Sequence, residues 1–267
     1  MRFSEPAPAK LNLALHVRGK LPNGRHALET IFAFCVDGDR IEAEESDGFG
    51  LEVVGPFAAE LTGGDDNLVL LAAKRLAEAA DAGSGASLRL TKNLPVASGI
   101  GGGSADAAAT LRLLTRMWSL DPALAEAIAP ELGSDVPACL LSMSARGEGA
   151  GDQLQLVDLG MADVPVLLVN PRVPLSTREV FANWDGVDRG VLQDWRDGRN
   201  DLEEPARMLV SEIGEVFDWL KVRPGANFAR MSGSGATCFA LFDDEQSRDE
   251  AAAACPPNWW HLASFLR

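Results

Sequence analysis

Four glycines and two serines fall within Pro95-Val96-Ala97-Ser98-Gly99-Ile100-Gly101-Gly102-Gly103-Ser104-Ala105-Asp106, which runs directly into the alanine-rich segment Ala107 to Trp118. A turn stripped of side chains lets several backbone N–H groups point at one anion, and the positive end of the helix that follows adds to their pull. The stretch therefore commits the chain to a loop that opens a helix, with the character of a phosphate cradle. A flexible Gly/Ser connection is the plainer reading, but linkers of that kind rarely abut a well-patterned helix.

Neither of two familiar phosphate loops fits. A P-loop places Lys directly after its last glycine, whereas Ser104 and Ala105 follow here. A dinucleotide fingerprint sets its glycines at the end of a strand, but Lys92-Asn93-Leu94-Pro95-Val96-Ala97-Ser98 separates them from the strand predicted at Ala86 to Thr91.

The chain has 267 residues, 46% of them hydrophobic, enough for one large domain or two modest ones with a real core. Its 24 Lys and Arg stand against 39 Asp and Glu, for a net charge of -15, and no basic stripe could track a nucleic-acid backbone. An acidic protein that binds an anion must gather its cations locally, and Lys10, Arg18, Lys20, Arg25 and Lys92 lie near the motifs below. Cys35, Cys139, Cys238 and Cys255 share no C-x-x-C spacing, so neither disulfides nor zinc are expected. The N-terminus carries no apolar signal region, and no stretch approaches the roughly 18 apolar residues of a membrane helix. A cytoplasmic enzyme with no membrane and no nucleic-acid partner is the expectation.

Leu11, Leu13, Leu15 and Val17 alternate with Asn12, Ala14, His16 and Arg18, which predicts a half-buried strand beginning just after Lys10. Strands are also predicted at Thr30 to Val36, Arg40 to Glu44 and Leu51 to Val54, with Asp37-Gly38-Asp39 and Asp47-Gly48 as breaks. Leu68, Leu71, Ala72, Leu76 and Ala79 have helical spacing, capped by Asp65 or Asp66. In the helix after the glycine loop, Ser104 and Asp106 suit the cap and first turn. A Gly-rich junction at Arg146 to Asp152 marks a boundary between residues 1–150 and 151–267. Beyond it come strands at Gln153 to Leu159 and Val164 to Asn170, and a helix bearing Ile213, Val216, Phe217 and Leu220. A strand at Thr237 to Phe242, a further helix and a final strand near His261 to Leu266 complete the chain. The interleaving predicts two α+β lobes.

Three more segments carry candidate chemistry. Pro8-Ala9-Lys10-Leu11-Asn12-Leu13 sets a Lys at a strand entrance, and Leu132-Gly133-Ser134-Asp135-Val136-Pro137 sets an Asp on a tight turn. Met231-Ser232-Gly233-Ser234-Gly235-Ala236 is a second small-residue turn. Singly, each has a bland reading: a solvated edge lysine, a helix cap ahead of Pro137, an ordinary hairpin approach.

Together, in this order and spacing, the four segments resemble the GHMP family of small-molecule kinases. Further marks are Asn23-Gly24-Arg25-His26-Ala27-Leu28-Glu29-Thr30, Asp66-Asn67-Leu68, Lys92-Asn93-Leu94-Pro95, Gly147-Glu148-Gly149 and Asn200-Asp201-Leu202-Glu203. The resemblance implies a first lobe like the second domain of ribosomal protein S5 and a ferredoxin-like second lobe. It implies ATP as phosphoryl donor, with magnesium, and phosphorylation of the 2-hydroxyl of a diphosphocytidyl-methylerythritol in the non-mevalonate isoprenoid route. By the same carry-over Lys10 and Asp135 are catalytic, Asp135 as base and Lys10 holding it ionised. Asn67, Pro95, Val96, Ala97, Ser98, Gly99, Ile100, Gly101, Gly102, Gly103, Ser104 and Ala105 would contact ATP, and Ser104 the magnesium ion. Asn12 and Thr177 would meet the acceptor, with His26 and Phe181 flanking its cytosine. Arg25 stands where the family has Tyr, and the chain contains no Tyr at all; a guanidinium plane also stacks on a base and adds a charge that could meet the diphosphate. That departure keeps two rivals in view, a sister kinase for mevalonate or homoserine and a kinase-fold nucleotide-binding protein without catalysis.

Overall fold

The structure is a computed structural model, and it describes residues 2–61, 64, 66–81, 83 and 85–267. Its elements, in chain order, begin with β1 (Phe3–Lys20), β2 (His26–Ser46), β3 (Gly50–Val54), α1 (Leu68–Ala80) and β4 (Gly85–Thr91). They continue with α2 (Gly102–Met117), α3 (Pro122–Leu132), α4 (Val136–Leu141), β5 (Ala145–Glu148), β6 (Gln153–Leu156) and β7 (Pro165–Asn170). The last are α5 (Thr177–Ala182), α6 (Glu203–Leu209), α7 (Glu212–Lys221), β8 (Ala226–Met231), β9 (Cys238–Phe242), α8 (Glu245–Ala253) and β10 (Trp260–Phe265).

The alternation read from Leu11 extends further back than expected. Strand β1 starts at Phe3, so Lys10 sits in the middle of a strand rather than at its entrance. Nor does Asp37-Gly38-Asp39 break the second strand, because β2 is continuous from His26 to Ser46. A Cβ on Gly38 would fall 2.1 Å from the Ala7 carbonyl oxygen and 2.8 Å from Pro8 Cα. The glycine there permits close backbone approach, not a turn. The Gly-rich junction likewise overlaps strand β5, whose last three residues are its first three.

The chain forms two compact units that alternate along the sequence. The first comprises residues 1–9, 37–96 and 101–142; the second comprises 10–36, 97–100 and 143–267. Their bounds differ from 1–150 and 151–267 because the long strands β1 and β2 each serve both units.

In the first unit β4 lies between β2 and β3, antiparallel to Arg40–Ser46 of β2 and parallel to β3. Helix α1 buries Val69, Leu70, Ala72, Ala73, Leu76 and Ala77. Its cap is Asn67, whose side chain accepts from the Val69 N–H at 2.9 Å. The cap is therefore not Asp66, and Asp65 lies outside the described residues. Helix α2 buries eleven residues around its whole circumference, which makes it the unit's core helix.

In the second unit Thr30 to Phe32 of β2 pair with β5, and β5 pairs with β6. A separate four-stranded antiparallel sheet runs β10-β7-β9-β8, the strand order of a ferredoxin-like sheet. Its apolar face packs with Ile213, Val216 and Leu220 of α7 and with Leu15 and Val17 of β1. The four cysteines are free thiols. Among the described residues no helix is long and apolar enough to cross a membrane.

Candidate active site

In the second unit, one hydrogen-bonded network gathers Lys10, Asn12 and the turn between β8 and β9. Lys10 and Asn12 are 2% and 3% exposed, as burial of a polar pair demands when each satisfies the other. Lys10 Nζ donates to Asn12 Oδ1 at 2.7 Å and lies 5.2 Å from the Phe32 ring centroid. Asn12 Nδ2 donates to Thr30 Oγ1 at 2.8 Å, and Thr30 Oγ1 donates to the Ala14 carbonyl at 2.6 Å. The network leaves no room for Lys10 as a solvated edge residue.

The turn is fastened from several sides. Ser232 Oγ accepts from the Asn12 N–H at 3.1 Å and donates to the Gly99 carbonyl at 3.0 Å. Asn200 Nδ2 donates to the carbonyls of Met231 and Gly233, both at 2.8 Å. Residues 97–100 are held against it, with the Thr237 N–H donating to Ser98 O and the Lys10 N–H to Ile100 O. Gly99 has φ +77°, and a Cβ there would meet the carbonyl oxygens of Gly235 and Ser232 at 2.5 Å. Only glycine satisfies both constraints. Ser234 extends the same turn to Thr177, the two hydroxyls 2.8 Å apart.

A second cluster in this unit is aromatic. His26 stacks on Phe181 with ring centroids 4.6 Å apart and planes at 27°, and Trp184 meets His26 edge-on at 5.7 Å. Burial lowers the His26 pKa, with Lys20 adding to the effect, so the ring stays neutral at pH 7. Both His26 Nε2 and Trp184 Nε1 are buried without a hydrogen-bond partner among the described residues. Arg25 is about half exposed and reaches Asp152 Oδ2 at 3.5 Å. Thus Lys10, Asn12, Arg25, His26, Thr177 and Phe181 all belong to the second unit, with Ala97, Ser98, Gly99 and Ile100.

The first unit holds the other expected residues: Asn67, Pro95, Val96, Gly101 to Ala105, and Asp135. Helix α2 opens from Gly101, whose φ of +66° turns the chain into the helix, and no side chain caps it. Ser104 and Asp106 are therefore not caps. Helix geometry leaves the N–H groups of Gly102, Gly103 and Ser104 without intrahelical partners, and they form the anion-attracting end of the helix. Asp135 precedes α4 with Pro137 in its first turn, and its side chain makes no capping hydrogen bond to that helix.

Lys92 is not a cation waiting for a ligand. It is 1% exposed and paired with Asp39 and Asp106. Sequence reasoning missed this trio, and it missed Thr30, Asn200 and Trp184 as supports of the site. Thr30 and Asn200 stood inside quoted motifs, but nothing along the chain showed which backbone or side chain each would reach.

The family model for the GHMP kinases N terminal domain matches residues 67–143, and that for GHMP kinases C terminal matches residues 178–261. The chain is 50% identical over 281 residues to 4-diphosphocytidyl-2-C-methyl-D-erythritol kinase of Rhizorhabdus wittichii, covering 100% of this chain and 96% of the relative. It is 48% identical to the protein of the same name in Novosphingobium aromaticivorans, covering 100% and 94%. A crystal structure of 4-(cytidine 5'-diphospho)-2C-methyl-D-erythritol kinase superposes with a TM-score of 0.86 at 31% identity, covering 98% of each chain. A homoserine kinase from Cytophaga hutchinsonii shares the fold, with a TM-score of 0.70 at 18% identity over 99% of this chain and 95% of the other.

Proposed function

The chain belongs to the GHMP kinase family, and from that membership we propose that it transfers the γ-phosphoryl group of ATP to the 2-hydroxyl of a diphosphocytidyl-methylerythritol. This is a phosphorylation step of the non-mevalonate isoprenoid route. The observation that carries the nucleotide half is the start of α2, where a left-handed Gly101 presents an N-terminus that no side chain caps. The acceptor half is supported by relatives at 50% and 48% identity that bear the name of that kinase.

Phosphoryl transfer asks for positioning and charge neutralisation more than for covalent help. The backbone N–H groups of Gly102 to Ser104 bind the phosphates, and the bare turn from Pro95 to Ala105 excludes side chains from them. Asn67 and its neighbours hold the rest of ATP. Asn12 and Thr177 orient the acceptor, while His26 and Phe181 flank its cytosine with Arg25 beside them. Asp135 takes the proton as the 2-hydroxyl oxygen attacks; the new O–P bond forms, the bond to the β-phosphate oxygen breaks, and ADP departs. Lys10 supplies the positive charge that polarises the hydroxyl.

Among the described residues no three His, Cys, Asp or Glu side chains are grouped to hold a metal ion. Magnesium would arrive on ATP, held mostly by phosphate and water, and the Ser104 hydroxyl would be its protein contact. When bound, the ion offsets the charge of the transferring group.

The test is ADP release with ATP and one alcohol at a time. The cytidylyl alcohol supports turnover and mevalonate and homoserine do not; turnover with either of those alone would replace this acceptor with another.

A further inference from the structure

Three charged side chains from separate parts of the first unit meet beneath the start of α2. Asp39 comes from β2, Lys92 follows β4, and Asp106 lies one turn into α2; they are 2%, 1% and 2% exposed. Lys92 Nζ donates to Asp39 Oδ2 at 2.5 Å and to Asp106 Oδ2 at 2.7 Å. The other oxygen of Asp39 accepts from the N–H groups of Asn93 and Leu94 at 2.6 and 2.9 Å. A Cβ on Gly102 would lie 3.0 Å from Lys92 Nζ, so the ammonium stands directly against the first turn of the helix.

Burying one cation and two carboxylates is costly, and well-packed apolar residues often replace such groups without loss of stability. What apolar residues lack is direction. The trio ties the segment entering the glycine loop, at residues 92–94, to the helix that leaves it. Burial, reinforced by Asp39, pushes the Asp106 carboxyl above the ordinary carboxylate range, against the pull of the Lys92 ammonium beside it.

We propose that Lys92, Asp39 and Asp106 are positioning residues for the nucleotide, locking residues 92–94 onto the first turns of α2 so that its N-terminal N–H groups keep the geometry that holds ATP phosphates. The inference rests on the reading of that turn as the ATP site. It assigns Lys92 no contact with the nucleotide. Asn at position 106 keeps an oxygen that can accept from Lys92 and removes the carboxylate charge, whereas Leu keeps the bulk and removes the hydrogen bond.

Calorimetric titration with ATP and steady-state kinetics on the wild type, Asp106→Asn, Asp106→Leu and Lys92→Met test the proposal. Asp106→Asn keeps wild-type affinity. Asp106→Leu and Lys92→Met raise both Kd and KM for ATP about tenfold or more, equivalent to about 1.4 kcal/mol, while kcat at saturating ATP and KM for the alcohol stay nearly unchanged. If Lys92→Met fails to fold, the Asp106 pair alone decides. Unchanged ATP affinity in folded Asp106→Leu would overturn the proposal, and so would a fall in kcat with both KM values intact, the mark of a smaller active fraction. A wild-type protein that does not bind ATP would overturn the proposed function instead.

Discussion

Lys10 Nζ donates to Asn12 Oδ1 at 2.7 Å, two residues along the same face of β1, with both side chains nearly inaccessible. A buried ammonium is kept where it does chemistry or completes a network; here it completes a network, and the proposed function gives it chemistry as well. We expect Lys10→Ala to lower kcat by about two to four orders of magnitude, the range of a positioned acid–base or electrostatic group. It also leaves Asn12 Oδ1 without this donor, at a cost of about 1–3 kcal/mol in stability. Chemical denaturation read beside kcat separates the two effects; wild-type kcat in the variant would reduce Lys10 to a structural role.

Asp135→Asn keeps the shape of the turn before α4 and removes the proposed base. Turnover is expected to fall at least a hundredfold while ATP affinity remains within about twofold. Near-normal turnover would move Asp135 to the role of a turn residue.

Arg25, reaching Asp152 at 3.5 Å, remains exposed enough to meet a ligand. Planar stacking on a base is worth about 1–3 kcal/mol, so Arg25→Ala should raise KM for the cytidylyl alcohol about tenfold or more and leave KM for ATP alone. Arg25→Tyr should restore much of the loss. An unchanged KM in the alanine variant would leave the cytosine to His26 and Phe181.

His16 links β1 to the irregular segment after α5: its Nδ1 donates to the Gly190 carbonyl at 3.0 Å and its Nε2 accepts from the Arg199 N–H at 3.3 Å. Burial lowers its pKa below the ordinary 6.5. The unfolded chain therefore binds more protons than the folded one once pH falls below about 6.5, and stability is lost in that direction. Urea midpoints at pH 7.5 and 5.5 should differ more for the wild type than for His16→Gln. Equal differences would show that His16 is not the titrating group.

The sequence disclosed what local chemistry dictates and hid what distant packing decides. The glycine loop opening α2, the alternation in β1 and the period of α7 were legible because each depends on residues a few positions apart. Gly38 was read as part of a break between strands because its actual reason, the Ala7 backbone 31 positions away, is invisible along the chain. Asp39 and Asp106 were read as a break and a first-turn acid for the same cause; each is a polar group whose partner, Lys92, belongs to another element. The plainer alternative for Lys10, a solvated edge residue, follows from where a lysine in a strand usually stands, and only the Asn12–Thr30–Ser232 network shows why this one is buried.

In the proposed reaction a tertiary alcohol of a cytidylyl sugar alcohol receives the phosphoryl group of ATP. Carbon 2 of a 2-C-methyl polyol bears no hydrogen, so phosphorus attached there has no three-bond coupling to a carbinol proton. Proton-coupled phosphorus-31 NMR of the protein incubated with MgATP and diphosphocytidyl-methylerythritol should show ADP growing in step with a new monoester resonance that lacks that coupling. A monoester split by carbinol protons, or a spectrum in which ATP persists and no monoester forms, would contradict the account.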